Sequence, residues 1–151
     1  MTTMTETTTQ VYQVFIKAAP DAIWDAITRP EWTQKYFYGT RVEYDLRPGG
    51  SFRSLAGDGE EVLVDGEVVE VDAPRKLVQT WRFLYDPELT AEGFTRVTWE
   101  IEAGESGATK LTAIHELEGA PKTAKHVAGG WSYILSGLKT LLETGGPLAS
   151  A

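Results

Sequence analysis

The chain has 151 residues, 42% of them hydrophobic and 11% aromatic, and this size and composition fit one globular domain with a single core. Its 22 acidic and 14 basic residues give a formal net charge of -8, which repels a phosphate backbone and argues against nucleic acid as a partner. The sequence has no cysteine, which excludes disulfides and thiolate metal sites. It also shows no apolar run that could span a membrane and no secretory signal, so we expect a cytoplasmic protein.

The two ends of the chain differ in composition from the rest. Residues 1–9, within "MTTMTETTTQ", have low complexity and no hydrophobic period, so we expect a disordered tail. Gly145 and Gly146 follow the last periodic segment and are expected to end it. The sequence therefore predicts one domain over residues 10–146, followed by a short C-terminal tail at 147–151.

The first elements in chain order are a strand and two short helices. The β-branched and aromatic stretch "VYQVFIKA" predicts the strand. "PDAIWDAIT" predicts a helix, because a proline and an aspartate open it and because Ile23 and Ile27 lie four residues apart. Thr28 and Glu31 form a T-x-x-E pattern, which predicts a capping box at the start of a second helix that carries Tyr36.

From Gly39 onward the hydrophobic pattern changes to the period of two that is typical of strands. Turn sequences such as "RPGG", "GDGEE", "VDAPR" and "AGESG" leave connections that are too short for parallel crossovers, so we expect an antiparallel sheet. The predicted strands are 40–47, 50–56, 61–72, 76–85, 94–103 and 108–117.

Alternation within the strands predicts which face of the sheet is covered. In "KLVQTWRFLY" the odd positions are mostly apolar or aromatic, while the even positions include Lys76 and Arg82, so the odd face points inward. "FTRVTWEIE" and "KLTAIHEL" show the same parity. The residues expected inside are Leu77, Gln79, Trp81, Phe83, Tyr85, Val97, Trp99, Ile101, Leu111, Ala113, His115 and Leu117.

The stretch "GGWSYILSGLKTLLETGG" has the strongest pattern in the sequence. Apolar residues recur in it, and just before it, at spacings close to the helical period, which predicts one long amphipathic helix. They are Val127, Trp131, Leu135 or Ile134, Leu138, and Leu141 or Leu142. Such a helix needs an apolar surface, and the inner face of the sheet needs a cover. We therefore expect an α+β, helix-grip fold: a curved antiparallel sheet of about seven strands, two short helices after strand 1, and a long C-terminal helix packed across the sheet.

A straight helix on a twisted sheet can leave a gap between the two layers. Trp81, Trp99 and Trp131 lie where this gap is expected. They either line a ligand cavity or fill a solid core, and the sequence leaves both possibilities open.

Several segments resemble a known family. They are "APDAIWDAITRPE", "DLRPGGSFR", "GEVVEVDAPRKLVQTWRF", "TKLTAIHE" and "GGWSYILSGLKTLLE", and the likeness runs from about Val11 to Thr144. The chain resembles the SRPBCC superfamily, which includes START lipid-transfer domains, birch-pollen allergens and polyketide cyclases, and within it the branch of the Aha-type Hsp-ATPase activator C-terminal domain. The resemblance implies a cavity between sheet and helix. The chain departs from the family at "KYFYG" and at the doubled glycine before Trp131, both at the expected mouth of that cavity.

The expected ligand site combines inward-facing aromatic residues with residues of the second helix and of the long helix. We predict that it binds a small hydrophobic or aromatic ligand. The candidate residues are Tyr36, Phe37, Trp81, Phe83, Trp99, His115, Trp131 and Leu135.

The sequence contains two histidines. His115, on the inner face beside Trp131, is a weak candidate for a catalytic acid or base; alternatively, it orients a ligand or holds a structural hydrogen bond. His126 is expected near the start of the long helix, where the helix dipole disfavours its charged form, so we expect it to stay neutral and to cap or pack.

Three functions remain open. The first is a ligand-binding protein without catalysis, and the second is a chaperone-linked, Aha-type protein of the stress response that uses its outer surface. The third is a cyclase- or dehydratase-like enzyme that uses His115. With two histidines and no thiols we expect no metal site, and no segment has the glycine spacing of a phosphate loop, so no cofactor is expected. The protein is expected to be either a monomer or a homodimer.

Overall fold

The computed structural model describes residues 9–148. The tail predicted at residues 1–9 lies outside the described residues except for Thr9, which begins the first strand, and residues 149–151 of the predicted C-terminal tail also lie outside them. The strands are β1 (Thr9–Ile16), β2 (Arg41–Tyr44), β3 (Ser51–Leu55), β4 (Val62–Asp72), β5 (Lys76–Phe83), β6 (Thr95–Ala103) and β7 (Thr109–Glu116). The helices are α1 (Pro20–Thr28), α2 (Pro30–Tyr36), α3 (Pro87–Ala91), α4 (Pro121–Val127) and α5 (Gly130–Thr144).

The seven strands form one antiparallel sheet in the order β1-β7-β6-β5-β4-β3-β2. From β2 to β7, each strand pairs with its neighbour in the chain, whereas β1 pairs with β7 and is joined to the opposite edge through α1 and α2. The predicted α+β class, the number of strands and the two short helices after β1 are confirmed.

The corner between α1 and α2 differs from the predicted capping box. Thr28 is the last residue of α1, and its Oγ1 donates a hydrogen bond to the backbone oxygen of Trp24 at 2.8 Å. The N-cap of α2 is Arg29, whose backbone is extended at ψ 133° and whose side chain makes no capping bond. A residue before proline is disfavoured in the helical region, so Pro30 places the start of α2 one residue later than the T-x-x-E pattern indicated.

Burial confirms the predicted inner face of the sheet, with one exception. Tyr85 is 44% exposed because β5 ends at Phe83 and the chain then turns into α3. Asp86 caps α3, its side chain accepting a hydrogen bond from the backbone N–H of Glu88 at 2.9 Å. The chain therefore leaves the sheet earlier than its alternation suggested, and α3 occupies part of the predicted connection.

A glycine in β4 lets the sheet bend. A Cβ atom at Gly66 would lie 2.0 Å from the backbone oxygen of Thr80, so only glycine fits this close approach of β4 and β5. Phe52 of β3 pairs with Gly66, and its ring stacks on that of Trp81 with centroids 5.4 Å apart. The register between β4 and β5 also shifts a few residues further on. Such irregularities increase the local twist and bend of a sheet.

The C-terminal segment is two helices and not the single long helix that its pattern predicts. α4 ends at Val127 and α5 begins at Gly130. The break falls at Ala128 and Gly129, where paired glycines, with their low helix propensity, favour an interruption. His126 accordingly lies in the last turn of α4, which corrects its predicted place at the start of the long helix.

α5 packs its apolar face on the sheet as predicted. Trp131, Leu135 and Leu138 are buried, and Leu138 is completely inaccessible to solvent. The helix ends at Gly145, which has a left-handed backbone (φ 80°) and donates its N–H to the backbone oxygen of Leu141 at 2.8 Å. Neither α5 nor any other helix within residues 9–148 is long and apolar enough to cross a membrane.

The end of the edge strand β1 is covered by α5. Lys139 donates a hydrogen bond from Nζ to the backbone oxygen of Phe15 at 2.5 Å. Glu143 accepts one from the backbone N–H of Lys17 at 2.7 Å. The helix thus binds backbone groups at the end of the edge strand.

Candidate ligand cavity

A cavity of about 440 Å³ opens between the helices and one end of the sheet. Its walls come from the segment after α2, from β3, β4 and β5, and from the junction of α4 and α5. Most of its surface is apolar, as is typical of sites for small organic ligands. The apolar and aromatic wall residues include Phe37, Trp81, Phe83, Val127, Trp131 and Ile134.

Four aromatic rings meet in the cavity wall. The ring centroid of Trp81 lies 6.1 Å from that of Phe37 and 6.0 Å from that of Phe83. The ring of Trp131 lies 6.0 Å from Trp81 and meets Phe37 edge to face at 6.3 Å. Aromatic rings at these separations attract one another. Together they offer a planar ligand both ring faces and ring edges.

The rim of the cavity carries a polar pair. The hydroxyl of Tyr85 and Nε2 of His126 are 2.5 Å apart, and the His126 ring meets Phe83 edge to face at 5.0 Å. Burial, with smaller effects from Asp86 and Tyr38, raises the pKa of Tyr85 above its ordinary value. The Tyr85 hydroxyl is therefore protonated at neutral pH and can exchange hydrogen bonds with His126 or a ligand.

Tyr38 closes one side of the mouth in a strained backbone conformation. Its φ is 54°, in the left-handed region that residues other than glycine rarely occupy, and it is 61% exposed. Its ring stacks on Tyr133 of α5 with centroids 5.5 Å apart. A Cβ atom at Gly130 would lie 3.3 Å from the Tyr38 hydroxyl, so the glycine leaves room for this side chain. The segments "KYFYG" and "GGW" therefore meet at the mouth of the cavity.

His115 lies behind the cavity wall, and both of its ring nitrogens are engaged. Nδ1 accepts the indole N–H of Trp131 at 3.1 Å. Nε2 lies 2.7 Å from Oγ1 of Thr95, and that hydroxyl donates to the backbone oxygen of Trp81 at 3.0 Å. Nδ1 accepts the hydrogen bond of Trp131, and the Thr95 hydroxyl already donates its proton to the backbone oxygen of Trp81. Nε2 must therefore donate to Thr95, so the neutral ring carries its proton on Nε2. Burial lowers the pKa of His115 from 6.5 to about 4, so the ring is neutral at pH 7.

The three central tryptophans differ in what their indole nitrogens bond. Trp131 donates to His115, and Trp99 donates to Oε1 of Gln79 at 3.2 Å. Nε1 of Trp81 is buried and has no hydrogen-bond partner among the described residues. The Trp81 ring lines the cavity, whereas its Nε1 atom is buried away from solvent.

A carboxylate holds α4 in place. Glu92 accepts hydrogen bonds from the backbone N–H of Thr123 at 2.7 Å, from the Thr123 hydroxyl at 2.8 Å and from the backbone N–H of Lys122 at 2.9 Å. Burial acts to raise the pKa of Glu92, but these hydrogen bonds outweigh it and hold the pKa below its usual value. Since α4 contributes His126 and Val127 to the cavity wall, Glu92 positions that wall without lining it.

The sequence profile of one family matches most of the chain. The family is described as Activator of Hsp90 ATPase homolog 1-like protein, and the match covers residues 17–143. The chain belongs to this family. The matched range includes every residue that lines the cavity. The resemblance to the Aha branch of the SRPBCC superfamily, inferred from the sequence motifs, is confirmed.

Solved structures share the fold of this family member. DynU16, a protein of the dynemicin biosynthetic locus, is 28% identical over 92% of this chain and 48% of its own, with a TM-score of 0.74, so the chain spans about half of DynU16. PFC0360w, an HSP90 activator from Plasmodium falciparum, is 20% identical over 89% of this chain and 96% of its own, with a TM-score of 0.66. The Aha1 dimer from Colwellia psychrerythraea is 18% identical over 91% of this chain and 97% of its own, with a TM-score of 0.70. No curated protein matches the chain significantly.

In this member of the Activator of Hsp90 ATPase homolog 1-like family, the eight predicted ligand-site residues fall into two groups. One group lines the cavity, and the other lies in the core behind it, where each residue is at most 6% exposed. The hydroxyl of Tyr36, for example, donates to the backbone oxygen of Ala26 at 2.7 Å. The lining group is Phe37, Trp81, Phe83 and Trp131. The core group is Tyr36, Trp99, His115 and Leu135.

Several wall residues were absent from the predicted site. Ile134 suits the helical spacing as well as its neighbour Leu135, so the sequence held a signal for it. Tyr38 was marked only by the unusual segment "KYFYG". His126 was expected only to cap or pack, because its place at the cavity depends on the break between α4 and α5. Within residues 9–148, no group of three or more His, Asp or Glu side chains is arranged to hold a metal ion.

Proposed function

We propose that this protein binds a small hydrophobic or aromatic ligand in the cavity between the sheet and the C-terminal helices. The observation that carries the proposal is an open, mostly apolar space of about 440 Å³ walled by the rings of Phe37, Trp81 and Trp131. Ligand pockets in proteins usually measure about 300 to 1,000 Å³ and combine apolar walls with a few polar groups. The Tyr85 and His126 pair at the rim supplies such groups.

The wall is preorganised, which supports binding of a rigid ligand. Trp131 is held by His115, and α4 is held by Glu92. Side chains that are already fixed lose little conformational entropy when a ligand binds. We therefore expect planar, rigid compounds to bind better than long flexible chains of similar apolar area.

Binding can be measured with N-phenyl-1-naphthylamine, an uncharged apolar probe whose fluorescence rises in apolar surroundings. We expect saturable binding to the purified protein. Ile134→Trp enlarges a side chain that lines the cavity and is expected to weaken probe binding at least about tenfold by filling the space. Ser136→Trp introduces the same side chain on an exposed position of the same helix and is the matched control.

The two variants separate binding in the cavity from binding elsewhere. Loss of affinity in Ile134→Trp alone supports the proposal. Equal affinity in both variants, or no saturable binding by the unmodified protein, contradicts it. Thermal unfolding of each variant verifies that the added tryptophan leaves the fold intact.

A chaperone-linked function in the stress response is the second candidate. It is favoured by membership of the Activator of Hsp90 ATPase homolog 1-like family over residues 17–143. Its test is the ATPase rate of a purified Hsp90-type chaperone with and without this protein. If the outer surface carries this function, Ile134→Trp should stimulate the ATPase as well as the unmodified protein does. No stimulation at saturating protein contradicts this candidate.

The cyclase or dehydratase hypothesis depended on His115 as an acid or base. Nδ1 of this ring accepts from Trp131 and Nε2 bonds Thr95, so the ring has no free nitrogen for a substrate. We therefore propose ligand binding without catalysis at His115. We assign this function to one domain over residues 10–146 of a cytoplasmic protein. The protein is expected to act as a monomer or a homodimer. Light scattering after size-exclusion chromatography measures the oligomeric state.

A further inference from the structure

Two polar side chains meet at the rim of the cavity, where a ligand can reach them. Tyr85 and His126 both line the cavity and are both exposed, Tyr85 by 44%. The ring of Tyr85 stacks on Phe83 of the wall with centroids 5.5 Å apart, and the His126 ring meets the Tyr85 ring edge to face at 5.8 Å. Burial raises the pKa of Tyr85, and Tyr38 at the mouth adds a smaller effect, so the two tyrosines lie near each other. The polar ends of the pair therefore lie beside the open side of the cavity.

The hydrogen bond between Tyr85 and His126 has a preferred direction. A phenol and a neutral imidazole can each donate or accept. A phenol gives up its proton at about pH 10, more readily than a neutral imidazole does, and an imidazole takes up a proton at about pH 6.5, more readily than a phenol does. With a neutral His126, Tyr85 therefore donates to Nε2, 2.5 Å away, and the imidazole proton lies on Nδ1. In this arrangement the Tyr85 oxygen keeps its lone pairs for another partner.

An accepting oxygen at the edge of an apolar cavity suits a ligand that carries a hydroxyl group. The aromatic part of such a ligand lies against the rings of Phe37, Trp81 and Phe83, and its O–H reaches the rim. A polar group that leaves water needs a hydrogen-bond partner, and the ligand O–H finds one in the Tyr85 oxygen. An ether at the same place gains no hydrogen bond from Tyr85, because the Tyr85 proton is already bound by His126. The pair therefore distinguishes a donor from an acceptor.

We propose that the Tyr85–His126 pair selects aromatic ligands that carry a hydroxyl group: Tyr85 accepts the hydrogen bond of the ligand, and His126 fixes this direction by accepting the hydrogen bond of Tyr85. This inference rests on the proposed ligand-binding function. Tyr85 is the residue that touches the ligand, and His126 is a positioning residue that acts through Tyr85. His126 lies in the last turn of α4, the helix that Glu92 holds in place, so the contacts of Glu92 also keep the pair together.

Three matched probes test this selection: 2-methylnaphthalene, 2-naphthol and 2-methoxynaphthalene. They share one planar skeleton and carry a methyl group, a hydroxyl that can donate, and an ether oxygen that can only accept. Their affinities are measured by competition with N-phenyl-1-naphthylamine at pH 8, above the range in which histidine ordinarily titrates. Tyr85→Phe is expected to lower the affinity for 2-naphthol about fivefold, since a neutral hydrogen bond contributes about that factor. The other two affinities should change by less than about twofold, because neither probe donates to Tyr85.

Tyr133→Phe is the matched control for Tyr85→Phe. It also removes a tyrosine hydroxyl from an exposed position, but Tyr133 lines a separate pocket of about 170 Å³. This variant should leave all three affinities unchanged. Thermal unfolding of each variant verifies that it folds.

His126→Phe tests the positioning role of His126. It frees the Tyr85 proton to donate, so the affinity for 2-methoxynaphthalene relative to 2-methylnaphthalene should rise about fivefold. A role of His126 in structure alone would change both affinities alike, and that result contradicts the inference.

NMR of the unmodified protein tests the direction of the hydrogen bond without any substitution. The ¹⁵N chemical shifts of His126 at pH 8 should show a neutral ring protonated on Nδ1. A ring protonated on Nε2 overturns the inference, because Tyr85 would then accept from His126 and donate to a ligand.

The outcomes distinguish this inference from the proposed function. If the probes bind but Tyr85→Phe leaves the affinity for 2-naphthol unchanged, the cavity binds ligands without this selection, and the inference is overturned alone. The same conclusion follows if Tyr85→Phe weakens 2-methoxynaphthalene as much as 2-naphthol, since Tyr85 would then act as a donor. If N-phenyl-1-naphthylamine and all three probes fail to bind, both the inference and the proposed function fail.

Discussion

Trp131 donates its indole N–H to Nδ1 of His115 across 3.1 Å, and neither residue is more than 2% exposed. This contact joins α5 to β7, the last strand of the chain. The same tryptophan ring forms part of the cavity wall. The histidine on the inner face of the sheet therefore orients the wall of the cavity and does not itself line it.

Replacing His115 by phenylalanine should lower stability. The substitution roughly keeps the ring volume but leaves the indole N–H of Trp131 buried without an acceptor, which costs about 1–3 kcal/mol. Urea denaturation measures the loss. His126→Phe, at an exposed position, is the control and should change the free energy of unfolding by less than about 0.5 kcal/mol. Unchanged stability of His115→Phe together with altered probe affinity would show that His115 acts on the ligand.

Burial of His115 also predicts a pH dependence of stability. Its pKa is lowered from 6.5 to about 4 in the folded protein, so between these values the unfolded chain binds a proton that the folded chain does not. The contribution of His115 to the free energy of unfolding is fully present above pH 6.5. It is lost as the pH falls toward 4, by about 3 kcal/mol in total. At pH 5.5, ¹⁵N NMR should show a neutral ring protonated on Nε2. A charged ring at that pH contradicts the prediction.

Leu138→Ala should destabilise the protein strongly. Leu138 is completely buried where α5 meets the sheet, and truncation of such a residue costs about 2–5 kcal/mol through lost contacts and a new cavity. Leu142→Ala, one turn later and only partly buried, is the control and should cost clearly less. A loss below about 0.5 kcal/mol for Leu138→Ala in urea denaturation rules out its place in the core.

Glu92→Gln should loosen α4. A neutral amide is a weaker acceptor than a carboxylate for the N–H groups of Lys122 and Thr123, so amide hydrogen exchange within α4 should quicken while exchange in β6 and β7 stays unchanged. Because the pKa of Glu92 is lowered from 4.5, its contribution is present above pH 4.5 and is lost as the pH falls through the lower folded value.

Glu88→Gln is the control for this experiment. Glu88 also faces Lys122, but through an ion pair whose side chains are 70% and 58% exposed, and such pairs contribute little. Equal exchange rates in α4 for Glu92→Gln and the unmodified protein contradict the positioning role of Glu92.

The faces of the strands could be predicted because parity is a local property. Val97, Trp99 and Ile101 alternate with polar residues along β6, and any sheet that buries one face of this strand buries these three. Pairing of β6 with β5 and β7 does not change which side chains of β6 face inward. The amphipathic face of α5 was predictable for the same reason.

The sequence could not show which inward-facing residues line the cavity and which lie in the core. Trp81 and Trp99 have the same parity and the same chemistry, yet Trp81 lines the cavity and Trp99 lies in the core. Their difference depends on the bend at Gly66 and on where α4 meets α5, and both involve contacts between distant parts of the chain. Local periodicity contains no information about either.

The contacts at the end of β1 bear on how copies of this protein can assemble. An edge strand with free backbone groups is a template on which another chain can add a strand. Here Lys139 donates a hydrogen bond to the backbone oxygen of Phe15, and Glu143 accepts one from the backbone N–H of Lys17. A dimer made by continuing the sheet past this end of β1 would have to break both hydrogen bonds. These two contacts therefore protect this end of β1 against the addition of a strand from another chain.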